Sequence, residues 1–174
     1  MSLTCTGILL AAGQGRRFGA NKLLHPLADG TPLALASART LRSVLAHSIA
    51  VVADVHGELA GRLSQHGLHI VANPRTTEGM GTSIACGVAA SPAAQGWVIA
   101  LADMPWVPEP VIRAVVRCLA RGADIVAPAY QGRRGHPVGF SARHGEALIQ
   151  LRGDAGARGI VDAHRASLQV IETG

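Results

Sequence analysis

Ile8-Leu-Leu-Ala-Ala-Gly-Gln-Gly-Arg-Arg-Phe-Gly-Ala-Asn-Lys22 is the stretch on which the reading of this chain turns. An apolar run ending at Ala12 passes straight into a loop holding Gly13, Gly15 and Gly19, the adjacent Arg16 and Arg17, and finally Lys22. Such a loop can turn successive backbone N–H groups toward an anion, because glycine reaches conformations closed to other residues. The cations add full positive charge around the same point. Amides plus cations suit a polyphosphate and point to a nucleotide-handling protein. Spacing narrows the choice. A P-loop requires Gly, four residues, then Gly-Lys-Ser/Thr; Phe18 stands where the second glycine belongs, and Leu23 follows Lys22. A dinucleotide fingerprint, G-x-G-x-x-G, is met by Gly13 and Gly15 but finds Phe18 at its third glycine.

Around that loop, short apolar runs alternate with helical patterns. Residues 4–11, 49–53, 69–72, 97–101 and 125–128 read as strands, several apolar throughout, as expected of central strands buried on both faces. Helices are predicted over 32–46, 57–65, 82–90 and 109–120; in the last, Ile112, Val115, Val116 and Leu119 form a stripe of helical period. The polar stretch 129–135 breaks the alternation, with a short strand expected at 136–140 and a helix at 142–151. The pattern predicts an α/β fold with a mostly parallel sheet. Such sheets bind ligands beyond the carboxyl ends of their strands. The glycine loop, Asn73 and Asp103 follow the first, third and fourth strands and should therefore converge on one edge.

Composition supports this. A chain of 174 residues with five aromatics must build its core from Val, Leu, Ile and Ala, and is most simply one domain over 1–174. The formal net charge is +5. No run of Lys or Arg exceeds two residues and aromatics for base stacking are scarce, so the expected partner is a small polyanion and not nucleic acid. Cys5, Cys86 and Cys118 are odd in number and widely spaced, which suggests neither a disulfide framework nor a zinc site. Without a signal peptide or an apolar run near ~18 residues, a cytoplasmic protein with no membrane partner is expected.

Asp103 ends an apolar strand, where a carboxylate can hold Mg²⁺ together with phosphate oxygens or simply cap a turn. The segment Glu78-Gly-Met-Gly-Thr-Ser83 precedes a helix of small residues. Its glycines allow close backbone approach to a ligand, and Thr82 or Ser83 can equally serve as an ordinary N-cap. His136 stands near Arg133 and Arg134, where it can be an ordinary structural histidine or part of a basic setting suited to an anion. Asp154 and Arg158 are spaced for a pair across one helical turn. The remaining histidines form no ligand set, and no covalent nucleophile is arranged with a base.

The first loop resembles the signature Leu-Ala-Ala-Gly-x-Gly-x-Arg-Met-Gly of nucleotidyltransferases. Leu10, Ala11, Ala12, Gly13, Gly15, Arg17, Gly19 and Lys22 match it, with Phe18 in place of Met. Asn73-Pro74, Glu78–Ser83, Ala102–Pro105, Gly135–Phe140 and Gly153–Arg158 follow in family order. The chain is most similar to the MobA-like NTP transferases, in particular the molybdenum-cofactor cytidylyltransferase branch. This resemblance implies a three-layer α/β/α fold with a Rossmann-like sheet of the nucleotide-diphospho-sugar transferase type. It implies that Leu10, Ala11, Ala12, Gly13, Gln14, Gly15, Asn73, Gly79, Gly81 and Ser83 hold the nucleotide. Arg17, Lys22 and Asp103 are implied as catalytic, with Asp103 binding Mg²⁺, and His136, Asp154 and Arg158 as serving the acceptor.

The implied reaction is transfer of a nucleoside monophosphate, CMP from CTP, to a phosphorylated acceptor such as molybdopterin, with release of pyrophosphate. A molybdoenzyme or its maturation chaperone is the implied protein partner. Ala11-Ala12-Gly13 differs from the Ala-Gly-Gly of the guanylyl branch but also occurs in enzymes acting on sugar phosphates and methylerythritol phosphate. One departure stands out: the family's Asp-x-Asp-Thr-Pro segment, a source of a second metal carboxylate, is not present after Gly174 closes the sequence. Three readings stay open: the chain is truncated, another residue such as Asp154 substitutes, or catalysis is impaired. Rivals are a nucleotide-binding accessory module without turnover, and an NAD-dependent oxidoreductase using Asp54 as ribose ligand.

Overall fold

A computed structural model describes residues 2–13 and 21–174. Gln14, Gly15 and Arg17 lie outside the described residues. Strand β1 (Cys5–Ala11) is buried along its whole length. It pairs in parallel with β2 (Ser48–Val52) on one side and with β4 (Gly96–Leu101) on the other. Strand β3 (His69–Ala72) extends the sheet beyond β2. Beyond β4 lies β7 (Val138–Ser141), antiparallel to both β4 and β5 (Ile125–Tyr130). The sheet is parallel except for this insertion and the two-residue β6 (Arg133–Arg134), which folds back on the end of β5.

Alternation along β1 divides the core between two faces. Leu9 packs with Leu41, Leu63, Val115 and Leu119, from α1 (Leu33–Val44), α2 (Glu58–Gln65) and α4 (Glu109–Ala120). Ile8 and Leu10 pack with Ile84, Leu148 and Val161, from α3 (Met80–Ala89), α5 (Gly145–Ile149) and α6 (Arg158–Ala163). The result is the three-layer α/β/α arrangement. Among the described residues no helix is long and apolar enough to cross a membrane.

Four elements differ from the sequence expectation, one of them α6, where no helix is predicted. The polar stretch 129–135 is a hairpin: β5 continues to Tyr130 and turns through Gln131 and Gly132, whose φ values of 50° and 77° suit a tight two-residue turn. The helix expected over 142–151 is a 3-10 turn at Ala142–His144 followed by the short α5. A further strand, β8 (Leu168–Glu172), runs parallel along the edge of β5 opposite β7.

Asp124, just before β5, ties this C-terminal part together. Its Oδ1 accepts from Ser141 Oγ at 2.9 Å and its Oδ2 from Ser167 Oγ at 3.1 Å. His144 Nε2 lies 3.0 Å from Oδ2. Burial works against the charge, but the contacts from His144 and the serines outweigh it and hold the carboxyl below its ordinary 3.8. A carboxylate depressed on folding adds stability above its unfolded value, and that stability is lost as pH falls through the folded value. Asp124→Ala should therefore cost about 1–3 kcal/mol at neutral pH. The gap to the natural protein should close as denaturant titrations are repeated below pH 3.8.

Candidate active site

Parallel strands align their carboxyl ends, and here that edge collects the chemistry. Leu10 pairs with Leu101, and the Ala102 N–H donates to the Leu10 carbonyl at 3.1 Å. The glycine loop thus leaves β1 beside the residue that precedes Asp103. Leu10, Ala11 and Ala12 are buried, so what they can offer a ligand is backbone, while Gly13 is exposed.

The loop's far end returns to the same place. Asn21 Oδ1 accepts from the Leu23 N–H at 3.0 Å and starts a 3-10 turn over Lys22–Leu24, with Leu23 buried in the core. This anchors Lys22, whose Nζ lies 3.8 Å from Asp103 Oδ2; both side chains are about half exposed, at 48% and 45%. Asp103 is steadied from behind, since Ser37 Oγ of α1 donates to the Ala102 carbonyl at 2.7 Å. Ser37 was not anticipated from sequence. The signal was there: one hydroxyl among Leu33, Ala34, Leu35, Ala36 and Ala38 on an otherwise apolar helix start.

His136 arrives from the other direction. Because β7 runs antiparallel to β4, with Ile99 opposite Val138, the residues before β7 meet the end of β4. The peptide bond between His136 and Pro137 is cis. Burial lowers the His136 pKa from its ordinary 6.5, and the negative charge of Asp103 pulls the other way.

A cleft of about 580 Å³ opens beside His136 over the α3, α5 and α6 face. Met80, Ile84, Val138 and Phe140 contribute apolar lining, and Arg133, Arg134, Asp154 and Arg158 contribute charge. Arg134 is held by Asp162 at 3.3 Å. Asp154 and Arg158 share the cleft but form no ion pair among the described residues; Asp154 precedes α6, which starts at Arg158, so the two are not one turn apart on a helix.

Asn73 is buried and spends its side chain inside the protein. Its amide donates to Thr82 Oγ1 at 2.9 Å and Ser83 Oγ at 2.8 Å, and its Oδ1 accepts from the Arg75 N–H at 2.8 Å. Cys86, half-buried, lies 3.7 Å from the same oxygen. Thr82 and Ser83 are not N-caps, since α3 already starts at Met80. Gly79 and Gly81 face the chain segment at 152–154 across very short distances.

Among the described residues no three His, Cys, Asp or Glu side chains gather as a metal centre. A single half-exposed carboxylate, with Lys22 its one ion-pair partner among the described residues, nonetheless fits Mg²⁺, which uses one or two protein carboxylates and takes other oxygens from phosphate and water.

Comparison with known proteins fixes the family. Residues 7–168 match the MobA-like NTP transferase domain. The chain belongs to that family. It is similar to nicotine blue oxidoreductase of Paenarthrobacter nicotinovorans, 33% identical over 88% of this chain and 79% of that protein. It is also similar to purine catabolism protein PucB of Bacillus subtilis, 32% identical over 87% and 78%. Among solved structures, Rv0371c from Mycobacterium tuberculosis superposes with a TM-score of 0.82 at 25% identity, over 99% of this chain and 89% of that one. The same mycobacterial protein has also been solved as a manganese complex, with a TM-score of 0.82 at 24% identity over 98% and 88%. MobA-like family membership places this chain among nucleotidyltransferases.

Two measurements check the geometry without any substrate. Lys22→Ala should change stability by less than about 1 kcal/mol, because the pair is half exposed. Asp103→Asn should lower the His136 pKa still further, read by NMR titration of the ring, because it removes the charge that favours the imidazolium.

Proposed function

We propose that this protein transfers CMP from CTP to a phosphorylated acceptor, molybdopterin being the best fit, and releases pyrophosphate. The observation that carries the reading is that both ends of the glycine loop flank Asp103, with Lys22 3.8 Å away. A triphosphate cradled by that loop would lie against the lysine and the carboxylate together. An acceptor phosphate oxygen then attacks the α-phosphorus in line, forming the new P–O bond as pyrophosphate leaves. Protein catalysis of this chemistry is positioning and charge neutralisation. Lys22 would neutralise charge building on the α-phosphate, with Arg17 as a second cation from the loop. Asp103 would hold a divalent cation, which supplies further neutralisation of phosphate oxygens.

The acceptor side supports a ring-bearing anion. Met80, Ile84, Val138 and Phe140 give a polyol few hydrogen-bond partners, while Arg133 and Arg158 suit a phosphate. This favours a pterin phosphate over a sugar phosphate or methylerythritol phosphate. A molybdoenzyme or its chaperone would then receive the product. Ala11-Ala12-Gly13 favours CTP over GTP.

Lys22→Ala should lower kcat for pyrophosphate release by on the order of 10² with folding intact. A thermal-shift panel of CTP, GTP, ATP, UTP and NADH with Mg²⁺ tests the ligand, since a ligand that binds the native state raises its apparent stability. CTP should give the largest shift. A shift with NADH alone would instead support an oxidoreductase, a reading in line with the similarity to nicotine blue oxidoreductase. Asp54, its candidate ribose ligand, sits exposed after β2 and already accepts from the His56 N–H at 2.9 Å. Binding of CTP without pyrophosphate release would support an accessory module.

A further inference from the structure

The glycines of the Glu78–Ser83 segment have a use inside the molecule. At Gly79 φ is +96°, and a Cβ there would lie 2.4 Å from the Gly153 carbonyl carbon and 2.5 Å from Asp154 Oδ1. A Cβ at Gly81 would lie 2.9 Å from the backbone N, C and O of Arg152. Real Cβ atoms do not sit at such distances from backbone, so the segment at 152–154 rests on the space these side chains leave empty. Two hydrogen bonds fasten it there. The Gly153 N–H donates to the Glu78 carbonyl and the Gly81 N–H to the Gly153 carbonyl, each at 2.9 Å. At the far end Gly156, with φ +59°, sits where a Cβ would be 3.0 Å from Met80 Sδ. The strap 152–156 then leads directly into Ala157 and Arg158, and residues 154–158 form one wall of the cleft.

We infer that Gly79 and Gly81 are positioning residues for the acceptor, seating the strap that holds Asp154 and Arg158 at the cleft. This rests on the proposed transferase reading for its kinetic consequence, but the seating itself does not. Displacing a binding wall by about 1 Å can cost on the order of 10²-fold in rate, so a single added methyl at Gly81, which meets the Arg152 backbone, is a strong perturbation of the acceptor cleft.

Gly81→Ala and Gly153→Ala approach the strap from its two sides, and the second alters no atom of α3, so it serves where the first fails to fold. Gly61→Ala in α2, where a Cβ meets nothing within 4 Å, is the control. Hydrogen exchange reads the strap without any substrate: exchange at the amides of residues 153–158 should quicken about tenfold or more in the strap variants and not in Gly61→Ala. With CTP, Mg²⁺ and molybdopterin, the KM for molybdopterin should rise about tenfold or more while that for CTP stays within about twofold. Unchanged exchange with a lost CTP-induced thermal shift would overturn the inference and make the glycines nucleotide contacts. A rise in both KM values together would also overturn it. If the natural protein releases no pyrophosphate from this mixture, the transferase reading fails, and the exchange data still decide whether the glycines seat the strap.

Discussion

The structure depends on one constraint: a central strand buried on both faces has only its ends to offer. Every residue of β1 from Cys5 to Ala11 is buried, and its neighbours β2 and β4 are parallel to it. Such a strand has room for few polar side chains, since each must find its partner inside the protein, and in β1 Thr6 carries the one hydroxyl. Its chemistry must lie where the chain escapes the sheet, and parallel pairing puts the escapes of β1 and β4 side by side. The glycine loop and Asp103 are neighbours for that reason. The antiparallel β7 adds a second consequence, because its start, not its end, reaches this edge and delivers His136 there.

Where burial was complete, the elements were legible from sequence. β1, β2, β4 and α4 carry unbroken apolar runs or a clean helical stripe, and their observed bounds fall within a residue of those expected. Where burial is partial, the signal vanished. β8 is an edge strand with Gln169, Val170 and Glu172 exposed, so neither continuous nor alternating hydrophobicity marks it. α6 is six residues long with no side-chain cap. The hairpin at Gln131-Gly132 lacks the Asn-Gly or Asp-Gly pair that would have announced it.

The site was legible in part for a related reason. Residue type and position after a strand pointed to Asp103, and loop composition pointed to Lys22. Their separation in space followed from the sheet order. Glycine motifs are different, because a missing Cβ looks the same in sequence whether a ligand or another stretch of chain fills the space. At Gly79 and Gly81 the neighbour is Arg152–Asp154. Asn73 teaches the same lesson for polar residues, since a buried amide with three polar partners is satisfied by the fold alone.

The weakness of the Lys22–Asp103 contact is what would make the arrangement usable in the proposed transfer. Two half-exposed charges 3.8 Å apart contribute about 0–1 kcal/mol, so parting them for a ligand costs little. A cation placed against charge that develops in a transition state contributes roughly 3–4 kcal/mol. In the proposed transfer that difference would favour the reactive complex over the resting pair. Had the two been buried and bidentate, separating them would have cost several kcal/mol and consumed that gain. Holding the backbone firmly, through Ser37 and Leu23, while leaving the charged ends loosely paired therefore keeps both groups in position and available.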